Sequence, residues 1–341
     1  MIFHLKGTKR KVGIGVFLLS ILTGIYLIGP APSRPIYTDD LPQLPSEPVK
    51  IEEWVADKEA GFSIKPDNEA RIVWFYDSNK TKTPYSLVYL HGFSSSQEDG
   101  DPIHTQLAQR YGMNLYLSRI ADHGLVSDNS LLDFTASAAW EDAKGALAIG
   151  SIIGEKVIVL STSTGGTLSL MLSSRFPDIA GQILMSPNIA IKDPLAWMLN
   201  NHWGLNIAKK VLGGDYRVIP DTTALYSKYW NGRYRVEALP QLEELIETTM
   251  KPSVFHKIHQ PTLLLYYYKD EVYQDQVVRV EKMLEMFDQL GTEDSKKKKV
   301  AVPNAGNHAI GSYVKSHNLL TVEKEVNHFC DSILGLKPIV Q

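Results

Sequence analysis

An α/β fold, a mostly parallel eight-stranded sheet flanked by helices, is what the sequence predicts. From about residue 49, short β-rich runs alternate with helix-length stretches. Several of those runs are apolar throughout, as strands buried on both faces must be. One of them, Val157–Leu160, passes through small hydroxylated and glycine residues straight into a second, helix-sized apolar stretch.

The elements follow in order. Residues 1–11 are basic, with Lys6, Lys9, Arg10 and Lys11, and Val12–Ile28 is uncharged. At ~1.5 Å per residue this run is at the short limit for crossing ~30 Å of hydrocarbon and long for a signal peptide. An uncleaved anchor is the favoured expectation and a cleaved signal, giving a secreted protein, the alternative. Positive charge before the span predicts a cytoplasmic N-terminus and a catalytic domain on the far, periplasmic or extracytoplasmic side. Prolines at 30, 32, 35, 42, 45 and 48 make 29–48 a semi-rigid spacer. Strands are expected at IEEWVA, RIVWFY, SLVYLH, NLYLSR, KVIVLS, GQILMS, TLLLYYY and KKVAVP, and helices near 102–111, 135–150, 165–176, 275–290 and 319–334. Between Asn188 and Pro261 stand about seventy residues with helical patterns and Trp197, Trp203 and Trp230, an inserted helical cap at about 189–260 within a domain spanning 49–341.

Composition narrows the function. Hydrophobic residues are 44% and charged residues 21%, ordinary globular usage, and the net charge of −3 gives no reason to expect a nucleic-acid partner. The KKKK run at 296–299 reads as a solvated loop face. Cys330 is the single cysteine, which excludes an internal disulfide or a zinc–thiolate cluster.

The chemistry gathers at Ser161-Thr162-Ser163-Thr164-Gly165. A serine hydroxyl attacks a carbonyl once a base removes its proton, so it must project from a sharp strand-to-helix turn whose crowding demands small neighbours two positions either side. Ser163 alone meets that demand, with Ser161 where the usual pattern has glycine. The other hydroxyls read as steric compromises. Upstream, SLVYLHGFSSS ends a buried run with His91, Gly92 and Phe93, and downstream Asp270 and His308 follow two successive late strands.

This set, in the order nucleophile, acid, histidine, resembles the α/β-hydrolase superfamily over about residues 70–335, and within it monoacylglycerol lipase and lysophospholipase-like carboxylesterases. The resemblance implies that His308 takes the proton of Ser163, that Asp270 orients His308, and that the amides of Phe93 and Thr164 form an oxyanion hole. Asp275 is the reserve acid, with a helix-capping reason of its own. RIADHGL is similar to the family's loop after its fourth strand, with Asp122 in place of the first glycine, which makes His123 a lining residue beside His91 and Gly92. Trp197 and Trp203 of the cap are expected to line an acyl pocket.

Competing sites are weaker. His256 and His259 share a helical face without a third ligand at suitable spacing, Glu98, Asp99 and Asp101 lack the regularity of a calcium loop, and STSTGG lacks the lysine of a P-loop. Expected, then, is a membrane-anchored serine esterase or lipase needing no metal or organic cofactor, acting on small-molecule esters, monoacylglycerol or lysophospholipid types among them. A catalytically idle hydrolase-like binding domain at the membrane surface and an acyltransferase stand as alternatives.

Overall fold

The computed structural model describes residues 3–339, with side chains from Ile14 onward. Its strands are β1 (Arg71–Val73), β2 (Thr83–Leu90), β3 (Asn114–Leu117), β4 (Gly154–Thr162), β5 (Gly181–Met185), β6 (Tyr216–Val218), β7 (Arg233–Arg235), β8 (Thr262–Tyr266) and β9 (Lys297–Ala301). The helices are α1 (Phe3–Leu27), α2 (Pro48–Ala60), α3 (Ile103–Tyr111), α4 (Ala136–Ile153), α5 (Thr164–Arg175), α6 (Gly204–Leu212), α7 (Ala224–Tyr229), α8 (Ala238–Thr249), α9 (Pro252–Phe255), α10 (Val280–Asp288) and α11 (Leu319–Ser332).

Seven strands form one sheet in the order β1-β3-β2-β4-β5-β8-β9, antiparallel at β1 and parallel elsewhere. Alternate side chains of β2 and β4 feed two layers. Val88, Leu90, Val157 and Val159 pack against α2, α4, α5 and α8, whereas Leu87, Tyr89, Ile158 and Leu160 pack against α3 and α11. Buried on both sides, these strands are apolar without alternation. Thr135 starts α4 by accepting the Ala138 amide at 3.1 Å, and Gly112, at φ 66°, ends α3 in the left-handed conformation that glycine adopts without cost.

The expected eighth strand is a correction. IEEWVA lies in α2, where Pro48 sits in the first turn and Ile51, Val55 and Glu59 are buried at four-residue spacing. That helical face outweighed the local β-propensity. RIVWFY is a strand only over β1, and the helix expected from 275 begins at Val280. The interval 189–260 carries α6 to α9 and, beyond expectation, the antiparallel pair β6–β7. The KKKK run enters the edge strand β9 rather than a loop, and its lysines pair with Glu293, Asp294, Glu325 and Asp288. Lysines on an edge discourage pairing with another sheet.

The proline-rich segment is strapped to the domain instead of standing off it. Trp140 Nε1 donates to Thr38 O at 2.7 Å, and the buried ammonium of Lys144 donates to Thr38 Oγ1 and Asp40 O at 2.7 and 2.8 Å. The basic residues 1–11 and the first two of the expected anchor have side chains outside the described residues. Among the described residues no helix is long and apolar enough to cross a membrane.

Candidate active site

Ser163 stands between β4 and α5 with φ 54° and ψ −117°, a strained conformation for a residue with a side chain. The turn is held from several sides: Ser163 N donates to Met185 O at 3.1 Å, and Ser163 O accepts from Gly166 N and Asn188 N at 2.8 and 2.9 Å. Glycine at 165 is dictated by space, because a Cβ there would lie 2.0 Å from Leu90 O. Ser161 fits where glycine was expected, its hydroxyl reaching Ile183 O at 3.3 Å.

His308 lies in the loop after β9. Its Nδ1 is 2.6 Å from Asp275 Oδ2, while its Nε2 is buried and, among the described residues, without a hydrogen-bond partner. This corrects the expected acid. Asp270 is exposed, and its Oδ1 accepts the amides of Val272 and Tyr273 at 3.0 and 2.8 Å, closing its own turn. Asp275 is fully buried, five residues before α10 rather than in its first turn, and its Oδ1 takes the amides of Val277 and Val278 at 2.8 and 3.1 Å. Burial alone would raise its pKa, but His308 and those two amides outweigh it and hold the carboxyl below its usual value. Asp275 is thus an anion that fixes the imidazole with Nδ1 as donor.

Both halves lie at the carboxyl edge of the sheet, after β4, β8 and β9, where open α/β sheets place their sites. Met185, whose carbonyl holds Ser163, has its Sδ 2.6 Å from where a Cβ on Gly311 would stand, three residues after His308. Gly92 closes the other side, since a Cβ there would come within 3.1 Å of Ser163 Cβ. Among the described residues neither the Phe93 amide nor the Thr164 amide has a protein acceptor. The Phe93 ring packs edge-on against His123, Phe134 and Tyr234 with centroids 5.2 to 5.6 Å away.

His91 and His123 are corrected from lining to scaffolding. Both are buried, and each ring is spent on backbone. His91 Nε2 accepts from Ile120 N at 3.0 Å with Nδ1 toward Gly92 O at 2.8 Å. His123 Nε2 accepts from Ser94 N at 2.9 Å with Nδ1 toward Ala121 O at 2.8 Å. Burial keeps both neutral, pushing His91 down to about 4 and His123 well below its ordinary value. Trp197 and Trp203, expected to line an acyl pocket, stand together on another groove. With Leu22, Ile25 and Tyr26 they line a groove of about 650 Å³ between α1 and the cap.

No family model matches the chain, and no curated protein matches it. Solved structures do. One is from work on LipS and LipT, two metagenome-derived lipolytic enzymes, with TM-score 0.62 and 15% identity over 78% of this chain and 98% of that one. The chain has the α/β-hydrolase fold. Further chains with this α/β-hydrolase fold are Est1E from Butyrivibrio proteoclasticus bound to ferulic acid and the Paleococcus ferrophilus monoacylglycerol lipase. Est1E gives TM-score 0.54 and 17% identity over 78% and 95% of the two chains, and the lipase 0.53 and 16% over 76% and 98%. The turn at Ser163 stands where a strand passes sharply into a helix, and its sequence departure at Ser161 is absorbed by the hydrogen bond to β5.

Proposed function

We propose that the protein is a serine hydrolase of carboxylic esters, with Ser163 as nucleophile, His308 as general base and Asp275 as the orienting acid. The observation that carries this is the His308–Asp275 pair, with its unpartnered Nε2, at the sheet edge where Ser163 sits on a strained elbow. His308 Nε2 takes the Ser163 proton as Oγ attacks the ester carbonyl. The oxyanion receives the amides of Phe93 and Thr164, and collapse expels the alcohol with the proton returned by His308. Water, deprotonated by the same imidazole, then releases the acid. Each oxyanion donor is worth ~3–4 kcal/mol of transition-state stabilisation. Labelling with a fluorophosphonate probe tests the assignment: wild type reacts and Ser163→Ala does not. Equal labelling of both discards Ser163, and labelling of neither favours an idle binding domain.

The finer reading is a membrane-anchored enzyme for lipid-derived esters, its domain on the far side from a cytoplasmic N-terminus. Its support is the uncharged run Val12–Ile28 and the outward apolar side chains of α1, with Phe17, Leu19 and Leu22 each more than 60% exposed. Trp197 and Ile207 add exposed apolar surface beside that helix. Membranes washed at alkaline pH retain such a chain, whereas release into the wash rejects the anchor. p-Nitrophenyl esters of increasing length test the substrate, with preference for long chains expected and preference for acetate opposing it.

A further inference from the structure

The reaction uses Ser163, His308 and Asp275, yet a second carboxylate is buried within the site's framework. Asp99 is 2% exposed. Its Oδ2 accepts Gly92 N at 2.8 Å and Ser95 Oγ at 2.5 Å, and its Oδ1 accepts Tyr89 OH at 2.5 Å. Tyr89 OH also lies 2.8 Å from Thr162 Oγ1. The phenol proton is committed to Asp99, so Thr162 is the donor in that contact. A continuous path thus runs from Thr162, the residue before the nucleophile, through Tyr89 and Asp99 to the amide of Gly92. Thr162 is therefore no mere steric compromise in the elbow.

We propose that Asp99 is a positioning residue for the oxyanion turn: its carboxylate anchors the Gly92 amide, and so orients the next peptide to present the Phe93 N–H to the carbonyl that Ser163 attacks. The proposal rests on the hydrolase reading of Ser163.

Space supports it as well as hydrogen bonding. A Cβ on Gly92 would stand 2.9 Å from Asp99 Oδ2 and 3.1 Å from Ser163 Cβ, so this backbone fills the gap between carboxylate and nucleophile. Gly100 gives the phenol its room, since a Cβ there would be 2.3 Å from Tyr89 Cζ. The same short segment braces the histidine loop. Ser312 Oγ donates to Glu98 O and Tyr313 N to Asp101 O, both at 2.9 Å. Burial pushes the Asp99 carboxyl up to about 6 against the pull of its three donors, which leaves it ionised at neutral pH. An uncompensated buried anion is costly, and here every compensating donor belongs to an element that shapes the site.

The test compares Asp99→Ala, Asp99→Asn and Ser95→Ala with wild type, using a p-nitrophenyl ester and two inhibitors of equal chain length. One is a trifluoromethyl ketone, which forms an oxyanion on the nucleophile, and the other a plain methyl ketone. Asp99→Ala is expected to lower kcat by about tenfold to a hundredfold, short of losing a donor outright, with KM within about twofold. Affinity for the trifluoromethyl ketone falls by the same factor while that for the methyl ketone holds. Asp99→Asn, whose amide oxygen can still accept from Gly92 and Ser95, restores most of kcat. Should Asp99→Ala fail to fold, Ser95→Ala carries the test, with a smaller loss confined to kcat and to the fluorinated ketone. Wild-type kcat and ketone affinity in the folded variants overturn the proposal, as does an Asn variant no better than Ala. A wild type indifferent to the trifluoromethyl ketone overturns the nucleophile assignment together with this one.

Discussion

Asp270 and Asp275 are five residues apart and chemically identical, and their surroundings separate them. Asp270 stands in a charged stretch with Lys269 and Glu271 and spends its oxygen on its own turn. Asp275 is itself buried, its Oδ1 is held by the amides of Val277 and Val278, and its Oδ2 is thereby turned to His308. Asp275→Asn is expected to lower kcat/KM about 10³- to 10⁴-fold by releasing the imidazole tautomer, and Asp270→Asn to leave it within about threefold. Steady-state ester hydrolysis decides between them, and the reverse ranking would restore the acid the sequence favours. His123 carries a prediction about pH. Its folded pKa is depressed first by burial, with the neighbouring His91 ring opposing a second proton at the same place, so its stabilising contribution is complete above the unfolded value of about 6.5 and is lost as pH falls toward the folded value. His123→Asn should therefore cost stability at pH 7.5 and cost less at pH 5, as read from urea midpoints. A constant difference would mean that the ring titrates alike in both states.

At the scale of elements, the framework behind the site depends on a buried ion pair. Arg119, after β3, meets Glu59 of α2 through Nε at 2.7 Å and Nη2 at 2.9 Å, and the same carboxylate caps Ala70 N at 2.8 Å. Arg119 Nη1 also reaches His123 O at 3.2 Å, linking α2 to the loop that steadies Ser94. Glu59→Ala strands a buried guanidinium and is expected to cost about 3–5 kcal/mol in chemical denaturation. A loss below about 1 kcal/mol would show that water reaches Arg119 and pays little heed to the pair. The α2 helix explains why IEEWVA misleads: its residues suit a strand locally, but Ile51 and Val55 find their core only along a helical face.

For the molecule as a whole, the join between α1 and the cap decides where the N-terminal helix points. Trp203 Nε1 donates to Ile25 O at 3.0 Å, Trp203 N to Pro30 O at 2.8 Å, and His202 Nδ1 lies 2.6 Å from Gly29 O. Gly29 is wedged under the indole, where a Cβ would lie 2.0 Å from Nε1. Gly29→Val should prise α1 from the cap and speed proteolysis at residues 29–36, measured against an unchanged rate of ester hydrolysis. An unchanged cleavage pattern would mean that the remaining contacts hold the join alone.

The sequence by itself determined the α/β class, the order of all seven sheet strands along the chain and a largely helical stretch between β5 and β8, and it offered Ser163 and His308 as chemical candidates. These are carried by local pattern: apolar runs between turn residues, and small residues around a serine. Tertiary structure alone decided that Asp275 faces His308, that the rings of His91 and His123 are hydrogen-bonded to backbone, that Trp197 and Trp203 turn toward α1, and that Asp99 sits beneath Gly92. Each of these depends on which groups meet across distant segments, and burial, which converts an ordinary carboxylate into an orienting anion, is a property of the packed chain and not of its spelling.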